Sequence, residues 1–139
     1  MINMQENIDV HEILSYVEAH LEEDLSLDEI SEKFHYSKFY ISRAFTQEYG
    51  KSFYQYVKDR RLTVAAQALV ETKKPIIEIA YEAHYNSQQA FTLAFRQVYI
   101  CTPQEYRKNG VFIPKQAKMV VQSRSKHATC MMMWGGMAA

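Results

Sequence analysis

Apolar residues recur at helical spacing along most of the chain, and the longest such run covers residues 52–72. Its apolar positions are Phe53, Val57, Ala65, Ala68 and Leu69, with Leu62 and Val64 close to the same face. Ser52 suits the N-cap, and the run contains neither Gly nor Pro. The pattern predicts one long linker helix of about 30 Å, in which the charged residues 58–61 form a solvated stretch.

Three shorter helices are predicted before the long one. Residues 9–22 carry an apolar stripe, which indicates a first amphipathic helix. Ser26 and Ser37 suit the N-caps of two further short helices, and Gly50 suits the end of the second of these. Two short helices joined by a tight turn form a helix-turn-helix. Residues 9–50 are therefore predicted to be a first helix-turn-helix unit.

The same elements follow the long helix. Pro75 suits the first turn of a helix that breaks at His84, Ser87 suits the N-cap of the next helix, and Thr102 opens a last short helix. Residues 75–108 are therefore predicted to be a second helix-turn-helix unit.

An internal repeat relates the two units. A shift of 49 residues takes four residues of the first unit onto identical ones in the second: Glu29, Ile30, His35 and Tyr36 onto Glu78, Ile79, His84 and Tyr85. A shift of 50 does the same for Ala44, Phe45, Gln47, Tyr49 and Tyr56 onto Ala94, Phe95, Gln97, Tyr99 and Tyr106. So many identities at nearly one offset indicate two copies of one unit, with the long helix between them.

The second short helix of each unit has outward positions with no evident core role, spaced i, i+1, i+4, i+5 and i+8. They are Lys38, Phe39, Ser42, Arg43 and Thr46 in the first unit, and Gln88, Gln89, Thr92, Leu93 and Arg96 in the second. These residue types suit the major groove of DNA. Arg can bind guanine and Gln can bind adenine through two hydrogen bonds, while an exposed aromatic ring packs on thymine methyl groups.

Phosphate contacts are expected from two sources. The helix starts at Ser37 and Ser87 offer free backbone N–H groups, which attract phosphate. Basic side chains add contacts that do not depend on sequence, and the candidates are Lys38, Lys51, Arg60, Lys73 and Lys74.

The predicted length of the linker helix, about 30 Å, nearly matches the spacing of about 34 Å between successive major grooves on one face of DNA. One chain could therefore place two recognition helices in adjacent grooves without dimerising. A modest bend of the DNA would cost on the order of a few kcal/mol.

The charge distribution favours a polyanionic partner although the formal net charge is zero. Residues 1–36 hold ten acids and one base, which leaves 15 bases and six acids for the remainder. No run is long and apolar enough to span a membrane, and the first residues do not resemble a signal peptide. Cys101 and Cys130 are read as reduced thiols, so we expect a cytoplasmic protein.

Catalysis and metal binding find no support in the sequence. No Gly-rich phosphate loop, nucleophile elbow or pair of catalytic acids is present, and no residues have the spacing of metal ligands. We expect neither enzymatic activity nor a cofactor.

Residues 9 to about 108 resemble the DNA-binding region of the AraC/XylS family of bacterial transcription regulators, and its short members in particular. The resemblance rests on SLDEISEKFHYSKFYISRAFTQEYGKSFYQYVKDRRL and IIEIAYEAHYNSQQAFTLAFRQVYICTPQEYR. It implies an all-α fold of seven helices in two helix-turn-helix subdomains. It also implies binding to an asymmetric promoter site as a monomer, activation of transcription and contact with RNA polymerase. Base contacts are implied at Phe39, Ser42, Arg43, Gln88, Gln89 and Thr92.

Two residues depart from the family pattern. His84 stands in the second turn where the family usually has Gly, and His tolerates a positive φ better than most residues. Leu93 stands where close relatives have Arg. Three alternatives follow: Arg96, one turn on, supplies the missing base or phosphate contact, the second unit reads fewer bases, or Leu93 touches a thymine methyl group.

Several alternatives stay open at this point. Phe39 could be a core residue, and Arg60 or Arg61 could pair with acids of the first helices. The whole chain could be a helical module that binds another protein and does not read DNA sequence. Residues 109–139 are too few for a sensing domain and are expected to be a poorly structured tail.

Overall fold

The computed structural model describes residues 10–115, which form seven α-helices and no strand. These helices are α1 Val10–Ala19, α2 Leu27–Phe34, α3 Lys38–Tyr49, α4 Phe53–Glu71, α5 Ile76–Glu82, α6 Gln88–Tyr99 and α7 Pro103–Asn109. The predicted all-α fold with seven helices and two helix-turn-helix subdomains is confirmed. The first helix is shorter than predicted, because it gives way to turns after Ala19. Asp9 and the tail from residue 116 lie outside the described residues.

Contacts divide the described residues into two compact units, 10–57 and 58–115, so the boundary falls within α4. The first unit has a core in which aromatic rings pack at steep angles. The Phe45 ring lies 5.2 Å from the Phe53 ring at an interplanar angle of 89°, and the Tyr49 ring meets the Tyr56 ring edge-on at 4.9 Å. Aliphatic side chains from α1, α2 and α3 complete this core, namely Ile13, Val17, Ile30 and Ile41.

The second unit repeats this core with equivalent residues. Phe91, Phe95, Tyr99 and Tyr106 form its aromatic part, in which the Phe95 and Tyr99 rings stack at a centroid distance of 4.5 Å. Ile79 of α5 fills the position that Ile30 fills in the first unit, and both side chains are buried. The repeat seen in the sequence is therefore a repeat of packing.

Helix α4 belongs to both cores. The first core contains Phe53, Tyr56 and Val57 of this helix. A shift of 50 residues takes these three positions into α7. Farther along the helix, the residues that pack in the second core are Leu62, Ala65, Ala66 and Leu69. Shifted back by 49 residues, Leu62 and Ala66 correspond to Ile13 and Val17 of α1. The last helix of one copy is thus also the first helix of the next.

Two predictions for α4 are wrong, namely that Val64 lies close to the apolar face and that residues 58–61 form one solvated stretch. Val64 is exposed, since burial in the second half of the helix follows Leu62, Ala65 and Leu69. Arg60 is only 8% exposed, so residues 58–61 are not uniformly solvated. The positive charge of Arg60 lies close enough to Tyr99 to act on the pKa of its hydroxyl, which burial raises to about 12.

Side-chain caps set the start of most helices, as the sequence predicts. The hydroxyl oxygens of Ser26, Ser37 and Ser52 each accept a hydrogen bond of 3.1 Å from a backbone N–H three residues on. Ser87 does the same at the start of α6. Thr102 begins α7 with a full capping box, since the Glu105 carboxylate also accepts a hydrogen bond from the backbone N–H of Thr102.

Arg107 fastens α7 to the end of α4 within the second unit. Its guanidinium donates to the carbonyl oxygens of Leu69 at 2.8 Å and Lys74 at 2.7 Å, with a longer bond of 3.3 Å to that of Thr72. These acceptors include carbonyls that a helix C-terminus leaves without intrahelical partners. The planar fork of Arg suits several diverging acceptors, which the ammonium group of Lys would not match.

One β-branched residue occupies a left-handed backbone conformation. Gly50 ends α3 at φ 90°, and its counterpart at the end of α6 is Ile100 at φ 65°. Glycine adopts such angles without steric cost, whereas a β-branched residue is strained there. The Ile100 side chain is 81% exposed, so packing does little to offset the strain.

We expect Ile100→Gly to stabilise the protein by about 1 kcal/mol, because relief of backbone strain exceeds the entropy that Gly adds to the unfolded chain. Chemical denaturation with urea measures this. Gly50→Ala is the matched control, because an added Cβ at Gly50 meets no atom within 4 Å. The stability that this variant loses would therefore measure only the cost of placing a non-glycine residue at a positive φ. A destabilised Ile100→Gly variant would show that the isoleucine side chain contributes more than the strain removes.

Candidate nucleic-acid interface

The turn of the first helix-turn-helix is held by hydrogen bonds on both sides of His35. This residue ends α2 with φ 64° and ψ 35°, and its backbone N–H donates to the Ser31 carbonyl at 2.9 Å. The Ser31 hydroxyl donates to the Tyr36 carbonyl at 2.6 Å. Ser37 then caps α3, so the start of this helix is fixed relative to α2.

The second turn reaches the same conformation through different contacts. His84 has φ 71°, which confirms that His takes the positive φ expected at this turn. Its backbone N–H donates to the Tyr81 carbonyl at 2.9 Å, and the Tyr85 N–H donates to the Ala80 carbonyl at 3.0 Å. Burial raises the pKa of the Tyr85 hydroxyl, against the opposing effect of the nearby Arg61 charge.

Helices α3 and α6 each present a face to solvent. In α3 the exposed members are Lys38, Phe39, Arg43 and Thr46, and Ser42 is half-buried between them. In α6 the exposed members are Gln88, Gln89, Leu93 and Arg96, with Thr92 half-buried. Phe39 is 77% exposed, so the alternative that placed it in the core is wrong. Within each unit, the predicted base-contacting residues therefore lie together on one helix face.

Lys38 forms an ion pair with an acidic residue of the preceding helix. Its ammonium nitrogen lies 2.8 Å from a carboxylate oxygen of Asp28, and the hydrogen bond and charge of Asp28 raise the pKa of Lys38. The same end of α2 is also held by Tyr54, whose hydroxyl oxygen accepts a hydrogen bond from the Leu27 N–H at 3.2 Å. Sequence reasoning missed both contacts, although opposite charges flanking a helix-turn-helix are a signal for the first.

The other candidate phosphate ligands differ in how available they are. Lys51 and Lys73 are exposed. Lys74 forms an ion pair of 2.9 Å with Glu82, and Arg60 is buried. We therefore drop Arg60 from the set, because a buried guanidinium does not present itself to a phosphate on the surface.

Arg96 is exposed on α6 and acts electrostatically on α7. The pKa of Glu105 is lowered first by its hydrogen bonds with Thr102, and the charge of Arg96 contributes as well.

Charge is divided unequally between the two units. Residues 10–57 contain nine acids and four bases, whereas residues 58–115 contain five acids and nine bases. Long-range attraction to a polyanion therefore comes mainly from the second unit.

Neither a metal site nor a membrane span is found in residues 10–115. That part of the chain has no cluster of three or more His, Cys, Asp or Glu residues that could hold a metal ion. None of its helices combines the length and apolarity needed to cross a bilayer.

Comparison with known proteins assigns the family. Residues 20–109 match a family model described as a helix-turn-helix domain. The multiple antibiotic resistance protein MarA of Escherichia coli is 39% identical over 104 residues, which cover 75% of this chain and 82% of MarA. The chain belongs to the AraC/XylS family of transcription regulators. The resemblance inferred from the sequence is thereby confirmed.

Solved structures share the fold of this AraC/XylS regulator. An AraC-type transcriptional regulator from Chromobacterium violaceum has a TM-score of 0.69 at 30% identity, with 80% of this chain and 97% of that chain covered. The DNA-binding domain of AdpA, solved in complex with a target DNA, has a TM-score of 0.65 over 71% of this chain and 89% of that chain. At 21% identity, the likeness to AdpA concerns the fold alone.

The ion pair at Lys38 leads to a prediction about DNA affinity. Asp28→Asn removes the carboxylate that holds Lys38, so the ammonium group can turn to a phosphate. We expect DNA affinity at low salt to rise about two- to fivefold and the salt dependence to steepen by roughly one counterion. Fluorescence anisotropy titrations at several salt concentrations measure both quantities.

Glu32→Gln is the matched control, because it removes one negative charge from the same helix without touching the partner of Lys38. Equal gains in the two variants would mean that only the overall charge of the unit matters. No gain for Asp28→Asn would mean that Lys38 does not contact phosphate.

Proposed function

We propose that this AraC/XylS regulator binds a specific site in promoter DNA as a monomer, with α3 and α6 as its two recognition helices. The observation that supports it best is the duplication. Each unit holds a capped helix after a tight turn, and the same five positions form the outward face of each helix, four of them exposed and one half-buried. In both helices, four of the five residues at these positions have side chains that can form hydrogen bonds to DNA.

The chemistry of the exposed residues supports base reading in both units. In α3, the guanidinium of Arg43 can donate two hydrogen bonds to a guanine, and Ser42 can bond to several bases. In α6, the amides of Gln88 and Gln89 can each pair with an adenine, and Thr92 offers a hydroxyl and a methyl group. We assign these residues and Phe39 to base contacts.

Phosphate contacts would set the register of the protein on the duplex. We assign them to the helix starts at Ser37 and Ser87, and to the exposed basic residues Lys38, Lys51, Lys73 and Arg96. Lys74 could contribute only by leaving its ion pair with Glu82.

Binding by one chain would follow from the length of α4. Its 19 residues correspond to about 28 Å of helix, against a groove spacing of about 34 Å. A continuous helix of this length supports a site with two half-motifs about one helical turn apart, with no need for a second chain. We further propose that the protein acts in the cytoplasm as an activator that contacts RNA polymerase, and that it has no enzymatic activity.

Selection of bound duplexes from a random library tests the proposal. The regulator should enrich sites with two half-motifs whose centres are about 10 base pairs apart, and its affinity should fall steeply with salt. Recovery of unrelated sequences would contradict sequence-specific binding and would favour a module that binds another protein.

Arg43→Ala should cost about 1–3 kcal/mol of binding free energy on the selected site and relax the preference at one base pair. The reason is that a bidentate contact to guanine discriminates among bases, whereas a phosphate contact does not. Lys51→Ala is the control, and it should weaken all duplexes by a similar factor. If Arg43→Ala also weakened all sequences uniformly, Arg43 would be a phosphate ligand.

A further inference from the structure

Each recognition helix exposes one large apolar side chain among its polar ones. Phe39 on α3 and Leu93 on α6 are both mostly exposed, and neither packs in the core of its unit. An apolar side chain gains free energy when a partner covers it. On a helix that reads DNA, the partner that can cover it is the floor of the major groove.

The internal repeat shows that these two side chains occupy different positions on their helices. A shift of 50 residues takes Phe39 onto Gln89 and Arg43 onto Leu93. The first unit therefore presents an apolar group and, one turn later, a hydrogen-bonding group. The second unit presents the hydrogen-bonding group first and the apolar group one turn later.

The major groove offers one apolar feature, the 5-methyl group of thymine. Leu93 can neither donate nor accept a hydrogen bond, so every other base edge would lose hydration against it without compensation. Resting on the proposed function, we propose that Leu93 recognises a thymine through its methyl group. Along α3 the residue that contacts a thymine methyl group then precedes the hydrogen-bonding residue, and along α6 it follows the hydrogen-bonding residue.

The order follows from the positions along each helix. Counted from the N-terminus of α3, Phe39 meets a thymine and Arg43 meets a guanine. Counted from the N-terminus of α6, Gln89 meets an adenine and Leu93 meets a thymine. Residues one turn apart are separated by about 6 Å along the helix axis, so the two bases in each half-motif lie within about two base-pair steps of each other.

Arg96 does not take over the position of Leu93. It lies three residues after Leu93, so its side chain starts about one turn nearer the C-terminus of α6. The second unit is therefore assigned no guanine contact equivalent to that of Arg43. One half-motif should be centred on a thymine and a guanine, and the other on an adenine and a thymine.

Replacing single thymines by deoxyuridine tests the proposal, because it removes the methyl group and leaves base pairing intact. Each thymine of the selected duplex is replaced in turn, and affinities are measured by anisotropy. Loss of one buried methyl group corresponds to about a fourfold loss of affinity. We expect this fourfold loss at one thymine of the half-motif that is assigned to the second unit and centred on an adenine and a thymine.

Variants connect that thymine to Leu93. Leu93→Ala should bind the thymine and deoxyuridine duplexes with nearly equal affinity, whereas Leu93→Arg should shift the preferred base at that position to guanine. Ile77→Ala is the control, because it truncates an exposed apolar side chain of the same unit outside α6. This variant should still bind the thymine duplex about fourfold more tightly than the deoxyuridine duplex.

Two results would overturn the proposal. In one, Leu93→Ala still binds the thymine duplex about fourfold more tightly than the deoxyuridine duplex. In the other, replacing any thymine of that half-motif by deoxyuridine leaves the affinity of the unaltered protein unchanged. Either result leaves two-part, sequence-specific binding intact. A selection that enriches no motif at all would instead refute the proposed function itself.

Discussion

The packing of α4 into two hydrophobic cores is the constraint on which the rest of this structure depends. Phe53 and Tyr56 are buried in the first core, and Leu62 and Leu69 are buried in the second. Burial of such side chains stabilises each core by about 1.5–3 kcal/mol per residue, which exceeds what helix propensity contributes. A cut in the middle of α4, between Val57 and Leu62, would separate the two cores and remove the continuous helix that joins them.

Duplication explains why buried and exposed positions behave differently in the two units. Most equivalent buried positions hold the same residue or another apolar one, as at Ile30 and Ile79, at Phe45 and Phe95, or at Ile13 and Leu62. The exposed positions of the recognition helices differ, as in the exchange of Arg43 for Leu93. The cores hold each helix in place through its buried face, so residues on its exposed face can change without altering how the helix is held.

Local signals made much of the fold predictable from the sequence. Caps such as Ser37 and Ser87 act on N–H groups three residues away, so they can be read directly from the sequence. The repeat then predicted which faces of α3 and α6 are exposed. Arg60 and Arg107 could not be predicted, because their burial and hydrogen bonds depend on helices that pack together only in the folded unit.

Changing the spacing between the half-motifs tests most directly whether one continuous helix joins two DNA-reading units in one chain. About five added base pairs rotate one half-motif by half a turn of the duplex. Binding isotherms should then show one chain per duplex, with affinity reduced to that of a duplex carrying a single half-motif. Unchanged affinity for the lengthened site, or two chains per unaltered site, would contradict the account.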